Sequence, residues 1–337
     1  MGANLKLSFL SKFLISLLIF YSGLSIGYSS IDTQSLSLDY DSDILIYRNI
    51  AKEGIEGVRS SEHRSTRLAI PLAAYGLSKI NPFDGKYNSP RFNIFLVNIV
   101  IFYITVISLF WFSLRRHGLE IATLTVVFYF SHFMTINLFF YGVPDSLEFL
   151  LSICLFIILC EKKYFYLLPL FIIAALNRES FLIFAIPILI IWSISESNSH
   201  KFTTYLFYSF ISILTFLLVV YFLKSFIQND VSGFSTKITS LINFKKVMMF
   251  LDFDQMRNLL YSLLLLVPVG IYGLKKDKVL FIPALTILAI YFLIGGMMVG
   301  SGAALGRYIF SSVGPILLIG QSIVFIDLYN QYKKLND

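Results

Sequence analysis

Residues 39–48 place acidic side chains directly after the first long apolar run of the chain. They read Asp39-Tyr-Asp-Ser-Asp-Ile-Leu-Ile-Tyr-Arg48, which combines carboxylates with a tyrosine and an arginine. Carboxylates can accept a proton or bind a divalent cation, and acids are costly to place beside a membrane, so the segment indicates a site. Asp43 is its leading residue, while Asp41 supports it or caps a helix that begins here.

Other candidate residues lie at the ends of apolar runs or interrupt them. They are Tyr47, Arg67, Asp145, Arg178, Glu179, Arg307 and Tyr308. Tyr47 follows Asp43 by one helical turn, so the two residues share a face if this segment is helical. The acids and arginines are far apart in sequence, and only a helix bundle can bring them together.

The composition is that of a membrane protein. Of the 337 residues, 57% are hydrophobic and 14% are charged, whereas a soluble domain carries roughly 25% charged residues. The net charge of +7 does not indicate nucleic acid, because lysine and arginine collect in short loops typical of the cytoplasmic side. Cys154 and Cys160 share one apolar run and indicate neither a disulfide scaffold nor a metal-thiolate site.

The apolar runs predict an all-α, polytopic transmembrane helix bundle that forms a single integral membrane domain over residues 1–337. A crossing helix needs roughly 20 apolar residues, and about ten spans are predicted. They cover residues 9–28, 92–112, 119–140, 146–160, 202–223, 259–274, 279–299 and 308–328, with two more within 164–192. The block 164–192 is too long for one span and contains Arg178 and Glu179. We therefore predict two short helices that meet at Asn177-Arg-Glu-Ser180.

Two longer loops are predicted between these spans. Residues 29–91 form a first outer loop with the acidic motif, and residues 68–80 within it are too short to cross the membrane. That stretch predicts a helix that lies on the surface or is re-entrant. Residues 225–257 form a second large outer loop, in which apolar residues alternate with lysines.

The positions of lysine and arginine orient the bundle with its N-terminus in the cytoplasm. The basic segments at residues 115–117, 161–163, 197–201, 275–278 and 333–334 then lie inside. The candidate acids and arginines fall on or near the outer face instead, which favours a site there. The short loops favour a bacterial inner membrane with the active face outward.

Four motifs follow one another along the chain. The first loop has an acid, a tyrosine and an alanine one helical turn apart, at Asp43, Tyr47 and Ala51, followed by Arg67-x-x-x-Pro71-Leu. Later come Tyr141-Gly-Val-Pro-Asp145, Ala174-Ala-Leu-Asn-Arg178-Glu179, and Gly306-Arg307-Tyr308 with Gly314-Pro315 beyond it. In order and spacing, these motifs resemble the GT-C superfamily of integral membrane glycosyltransferases, which includes protein O-mannosyltransferases and the aminoarabinose transferases of lipid A.

The resemblance implies transfer of a sugar from a polyprenyl-phosphate donor to an unspecified acceptor on the non-cytoplasmic face, with inversion at the anomeric carbon. Asp43 is then the base that accepts the proton of the acceptor hydroxyl. The donor phosphate binds arginine, with Arg307, Arg178 and Arg67 as candidates in that order. Asp145 orients the acceptor or, with Asp43, binds Mg²⁺ or Mn²⁺, since some members of the superfamily use a metal and others do not. The supporting residues are Asp41, Tyr47, Glu179 and Tyr308.

Two other functions are weighed against this one. A lipid-linked polysaccharide polymerase or ligase keeps its key residues in a large late outer loop, whereas the acids here lie early. Broken helices at matching positions in two halves of a chain are typical of a transporter or flippase without transferase activity. This chain has one predicted broken helix without a counterpart. The alternative role for Arg178 is pairing with Glu179 or a lipid headgroup. His132, inside the predicted span 119–140, is expected to be packed and hydrogen-bonded.

Overall fold

The computed structural model describes residues 42–58, 67–82, 85–132, 134–135, 145–197, 200–228, 263, 265–292 and 302–336. Within these ranges the regular structure is helical and contains no strand, as the composition predicts. The α-helices are α1 (Ser42–Glu53), α2 (Ala69–Ile80), α3 (Pro90–His117), α4 (Leu119–Ser131), α5 (Asp145–Cys160), α6 (Leu167–Asn177), α7 (Phe181–Glu196), α8 (Phe202–Gln228), α9 (Leu266–Leu274), α10 (Lys278–Ile290) and α11 (Gly302–Asn336). Short 3-10 turns cover Gly54–Gly57, Gly85–Asn88 and Tyr164–Tyr166.

The chain divides into two compact units. The central unit comprises Asp32–Ile101 and Leu138–Phe244, and the terminal unit comprises Met1–Ile31, Phe102–Asn137 and Lys245–Asp337. The central unit therefore contains α1, α2, α5 to α8 and the beginning of α3. The terminal unit contains α4, α9, α10, α11 and the remainder of α3.

Three of the described helices are long and apolar enough to cross a membrane. They are α3, α8 over Phe202–Ser225, and α11 over Leu305–Leu335. Shorter apolar helices include α4, α7 and α10. The predicted span 9–28 lies outside the described residues, as do residues 229–257 of the predicted second outer loop. Residues 225–228 of that loop continue α8 as helix.

Helices α6 and α7 form a hairpin in the central unit. The predicted break at residues 177–180 is confirmed, because α6 ends at Asn177 and α7 begins at Phe181. At the other end of the hairpin, Lys162 Nζ lies 2.7 Å from Glu196 Oε1. The hairpin packs against α5 and α8. The hairpin therefore has Lys162 and Glu196 at one end and Arg178 at the other.

Helices α1 and α2 pack together through a small apolar cluster. Ile46 and Ile50, one turn apart on α1, are buried against Leu68, and Leu223 of α8 packs against the same cluster. Helix α1 ends where Gly54 takes a φ of +68°, a conformation that glycine adopts at no steric cost. The helix predicted at residues 68–80 is confirmed by α2.

Helix α11 is the centre of the terminal unit and packs against α4, α9 and α10. Its contact with α9 is backbone to backbone. A Cβ atom placed on Gly273 would lie 1.9 Å from the carbonyl oxygen of Gly320. Glycine at these crossing points therefore permits an approach that any side chain would prevent.

The predicted span 119–140 is wrong as one continuous helix. Helix α4 ends at Ser131, and His132 takes an extended conformation with φ −80° and ψ 122°. The His132 ring stacks on Phe310 with centroids 4.3 Å apart, and its Nδ1 accepts a hydrogen bond from the Met134 N–H. His132 is packed and hydrogen-bonded, as expected, but it marks the end of a helix rather than its middle.

Candidate functional site

Two acids and an arginine form a buried ionic cluster in the central unit. Arg178 Nη1 donates hydrogen bonds to Asp145 Oδ1 and to Glu148 Oε2, the latter at 3.2 Å. The side chains of Arg178, Asp145 and Glu148 are only 4%, 2% and 0% exposed. A charge removed from water to this extent is tolerated only when it is paired, so the three groups depend on one another.

The ends of two helices create this arrangement. Asp145 and Glu148 lie one turn apart in the first turn of α5, where acids also interact favourably with the helix dipole. Arg178 follows the last residue of α6 in an extended conformation, with φ −167° and ψ 135°. Its N–H still donates to the Ala174 carbonyl at 2.8 Å, so the helix end is satisfied while the side chain turns toward α5.

Arg67 and Tyr47 extend the cluster toward α1. Arg67 Nη1 donates to the Tyr47 hydroxyl at 3.2 Å, and Tyr47 is 2% exposed. The Leu68 N–H donates to the carbonyl oxygen of Leu176 at 2.7 Å, which fixes the Arg67 segment beside the end of α6. Burial raises the pKa of Tyr47 against the opposing charge of Arg67, so the phenol stays neutral at physiological pH.

The charged cluster is the name used below for Tyr47, Arg67, Asp145, Glu148 and Arg178. Electrostatic interactions connect its parts, since Asp145 and Arg178 act on Tyr47 and Arg67 acts on Glu148. When both acids are ionised, the two arginines balance them. The cluster is therefore close to neutral as a whole although nearly every member is charged.

Polar side chains surround the charged cluster. The Ser146 hydroxyl donates to Asn98 Oδ1, and both residues are fully buried. The Ser180 hydroxyl donates to Glu148 Oε1 at 3.5 Å. At the surface beside the break, Lys224 Nζ lies 3.0 Å from Glu179 Oε1.

The expected alternative pairing of Arg178 with Glu179 is wrong. Glu179 has a side chain that is 45% exposed and pairs with Lys224 instead. Arg178 turns inward because α5 offers two carboxylates in a space that excludes water. Arg178, a predicted ligand of the donor phosphate, is thus already held by two acids.

Glu148 is the member of the charged cluster to which the sequence assigned no role. The sequence motifs include Asp145 at the start of the helix but not Glu148, which lies inside the apolar run. Its position one turn after Asp145 on the same face of α5 was the available signal, because two acids at that spacing can hold one guanidinium between them.

The remaining predicted site residues either lie in another unit of the chain or are not fully described by the structure. Asp43 is in the first turn of α1, one turn before Tyr47, and its side chain is not among those described. Asp41 lies outside the described residues. Arg307 and Tyr308 belong to α11 in the terminal unit, where Arg307 is half-buried and the Tyr308 carbonyl accepts a hydrogen bond from Ser312 at 2.8 Å.

The fit of Asp145 to a divalent cation is poor. Its carboxylate bonds directly to a guanidinium, which repels a second cation at the same oxygen atoms. Among the described residues, no group of three or more histidine, cysteine, aspartate or glutamate side chains could hold a metal ion. Asp43, the other predicted ligand, has a side chain that is not among those described.

Within the charged cluster, the acids of α5 already hold Arg178, whereas Arg67 donates to a neutral phenol and is the member best placed to bind an anion. Comparisons of the chain with protein-family models, with curated proteins and with solved structures find no match.

Proposed function

We propose that this protein is a multi-pass membrane glycosyltransferase, with about ten spans and a GT-C-like architecture. It would transfer a sugar from a polyprenyl-phosphate donor to an acceptor on the outer face of a bacterial inner membrane. One observation supports the proposal: Tyr47, Arg67, Asp145 and Arg178, chosen from three separate motifs, meet in one buried charged cluster. Structural salt bridges alone would not require residues from all three motifs to meet.

The proposed reaction assigns different work to the two arginines of the charged cluster. Arg178 is held by two acids, so we assign it to positioning α5 against the hairpin. Arg67 donates a hydrogen bond to a neutral phenol, and the residue is only half-buried. Its positive charge can therefore attract the donor phosphate. Arg307 is retained as a second phosphate-binding candidate from the terminal unit.

Asp43 is the proposed base. The acceptor oxygen attacks the anomeric carbon while its proton passes to the Asp43 carboxylate. The bond between the anomeric carbon and the phosphate oxygen breaks at the same time, and the polyprenyl phosphate leaves with the electron pair. The arginine charge stabilises the negative charge that develops on that oxygen.

The test measures sugar transfer by membranes that contain the protein. Undecaprenyl-phosphate-linked mannose and aminoarabinose, each with a radiolabelled sugar, are the donors. Asp43→Asn is expected to lower transfer by about 10²- to 10⁴-fold, the range typical of a lost general base. Asp39→Asn is the matched control, because it removes a nearby first-loop acid that is expected to be solvated.

Equal membrane insertion of both variants, measured by fluorescence-detected gel filtration, keeps the comparison valid. Full transfer by Asp43→Asn would remove this residue as the base. Absence of transfer by the unsubstituted protein with both donors would count against the transferase proposal. A product extended by many sugar units would identify the polymerase alternative.

A transporter or flippase is the second candidate, and one observation favours it. The α6–α7 hairpin is a discontinuous helix pair with buried charge at its break, which is a feature of secondary transporters. In the same membranes, movement of labelled polyprenyl phosphate between leaflets without sugar transfer would select this alternative. Transfer without movement would reject it.

A further inference from the structure

Two basic segments from distant parts of the sequence meet at one end of the terminal unit, and a third follows the same contact region along α11. They are Arg115-Arg-His117 at the end of α3, Lys275-Lys-Asp-Lys278 between α9 and α10, and Lys333-Lys334 near the end of α11. Arg116 Nη2 lies 2.7 Å from Asp277 Oδ2, which joins the first segment to the second. Lys276 pairs with Asp327 of α11, which lies fewer than two helical turns before the third segment. We call this region the basic end.

The acids at the junctions of the basic end are already neutralised. Asp277 accepts three hydrogen-bond contacts from Arg116 and lies 3.4 Å from His117 Nε2. Asp327 is paired with Lys276. Within the described part of the chain, no acidic partner is found for Lys275, Lys278, Lys333 or Lys334, and all four are exposed. The basic end therefore carries surplus positive charge.

Exposed tyrosines accompany these lysines. Lys275 Nζ lies 5.3 Å from the centroid of the Tyr272 ring, and Tyr272 is 64% exposed. On α11, Tyr329 and Tyr332 are 62% and 68% exposed and lie next to Lys333. Exposed tyrosine beside lysine is the composition of a bilayer interface, where the ring lies at headgroup level.

The length of α11 is consistent with this position. The helix has 35 residues, so it is roughly 50 Å long, whereas the hydrocarbon core is about 30 Å thick. Its buried part ends near Ile323, and exposed residues continue from there to Leu335. Its last turns thus extend past the apolar layer, at the depth where lipid phosphates lie.

We propose that the basic end binds the headgroups of anionic phospholipids such as phosphatidylglycerol. The surplus lysines match the phosphate charge, and the tyrosines match the boundary between headgroup and acyl chain. A soluble polyanion would use the lysines alone, whereas a lipid surface also covers exposed apolar groups such as Tyr272 and Leu328. The proposal rests on the terminal unit alone and is independent of any transferase activity.

The test compares lipids added to the full-length protein in a neutral detergent. Thermal unfolding and lipid retention in native mass spectrometry are followed as short-chain phosphatidylglycerol or phosphatidylcholine is added. Phosphatidylglycerol is expected to raise the unfolding temperature and to remain bound, because a ligand of the native state stabilises it. Phosphatidylcholine should do neither.

Lys275→Gln/Lys278→Gln is the test variant. Each lysine near an anionic surface contributes enough that losing two should weaken phosphatidylglycerol binding by roughly 30-fold. Lys52→Gln/Lys79→Gln is the matched control, since it removes two exposed lysines elsewhere, one of which also stacks on a tyrosine. The control is expected to bind phosphatidylglycerol as the unsubstituted protein does.

Three results would overturn the proposal. The two lipids could stabilise the protein equally, the test variant could bind phosphatidylglycerol unchanged, or the control could lose as much binding as the test variant. Equal stabilisation by inorganic phosphate would reject the lipid in favour of a simple anion. If the test variant fails to fold, raising the salt concentration with the unsubstituted protein must weaken lipid retention, and unchanged retention would equally reject the proposal.

Discussion

Removing the Arg178 guanidinium should destabilise the protein more than removing any exposed charge. Arg178→Met leaves Asp145 and Glu148 in a space where their side chains are only 2% and 0% exposed, with their shared cation gone. Breaking a buried ion pair from one side typically costs about 3–5 kcal/mol, because the remaining charge stays desolvated. Two carboxylates remain here, so we expect the upper part of that range.

The measurement is equilibrium unfolding by sodium dodecyl sulfate in mixed micelles, followed by far-ultraviolet circular dichroism. Lys276→Met is the matched control: it breaks a pair with Asp327 in which the side chains are 65% and 37% exposed. An exposed pair contributes about 0–1 kcal/mol, so this variant should unfold close to the unsubstituted protein.

A triple variant separates charge from packing. Asp145→Asn/Glu148→Gln/Arg178→Met removes all three charges and keeps similar volumes, and it should regain most of the stability that Arg178→Met loses. A loss below about 1 kcal/mol for Arg178→Met would refute the reasoning, given the cost of an unpaired buried charge. A triple variant no more stable than the single one would show that packing of the arginine, and not its charge, is what matters.

Two further predictions concern the terminal unit and α2. Gly273→Ala should cost about 1–3 kcal/mol or more in the same assay, because its Cβ would lie 1.9 Å from the Gly320 carbonyl oxygen. Gly76→Ala is the control, because nothing lies within 4 Å of the added Cβ, and it should be neutral or stabilising by up to about 1 kcal/mol. Equal losses of stability in the two variants would contradict the prediction. Burial alone would raise the pKa of Asp277, but the nearby His117 ring and the hydrogen bonds from Arg116 lower it to about 2. The stability that Asp277 contributes is complete above about pH 4, its unfolded-state pKa, and is lost as the pH falls to its folded-state pKa of about 2. Asp277→Asn should therefore make stability less dependent on pH in this acid range.

The break between α6 and α7 could be predicted because it has a local cause. An apolar block too long for one crossing contained adjacent charges at Arg178 and Glu179, and the helix had to end there. The partner of Arg178 could not be predicted in the same way. Both neighbours, Glu179 and the acids of α5, are plausible by charge, and only the packing of α5 against the hairpin decides between them.

The end of α4 shows the opposite case. The sequence stays apolar past Ser131 without glycine or proline, so periodicity predicts a continuing helix. Two contacts accompany the end instead. The Thr135 hydroxyl donates to the Tyr129 carbonyl at 2.6 Å, and His132 stacks on Phe310 of α11. A tertiary contact with a residue far along the chain leaves no local pattern to read.

Helix α8 was predicted to end at Leu223 but continues to Gln228. The added turn carries Lys224, which pairs with Glu179 beside the hairpin break. Lys224 lies between the predicted span and the predicted outer loop that begins at residue 225, and neither prediction gave it a role. A lysine at a helix end can instead reach an acid on a neighbouring element, which the sequence alone does not reveal.

The chain order of α5 and α6 matters for biogenesis. Synthesis delivers Asp145 and Glu148 before Arg178, so the counter-ions are already present when the guanidinium emerges. On the proposed topology, the two acids lack their cation until α6 has been made, and an unpaired charge in hydrocarbon costs several kcal/mol. Helix α5 should therefore leave the translocon together with the α6–α7 hairpin, and a chain truncated after α5 should be degraded faster than one truncated after α7.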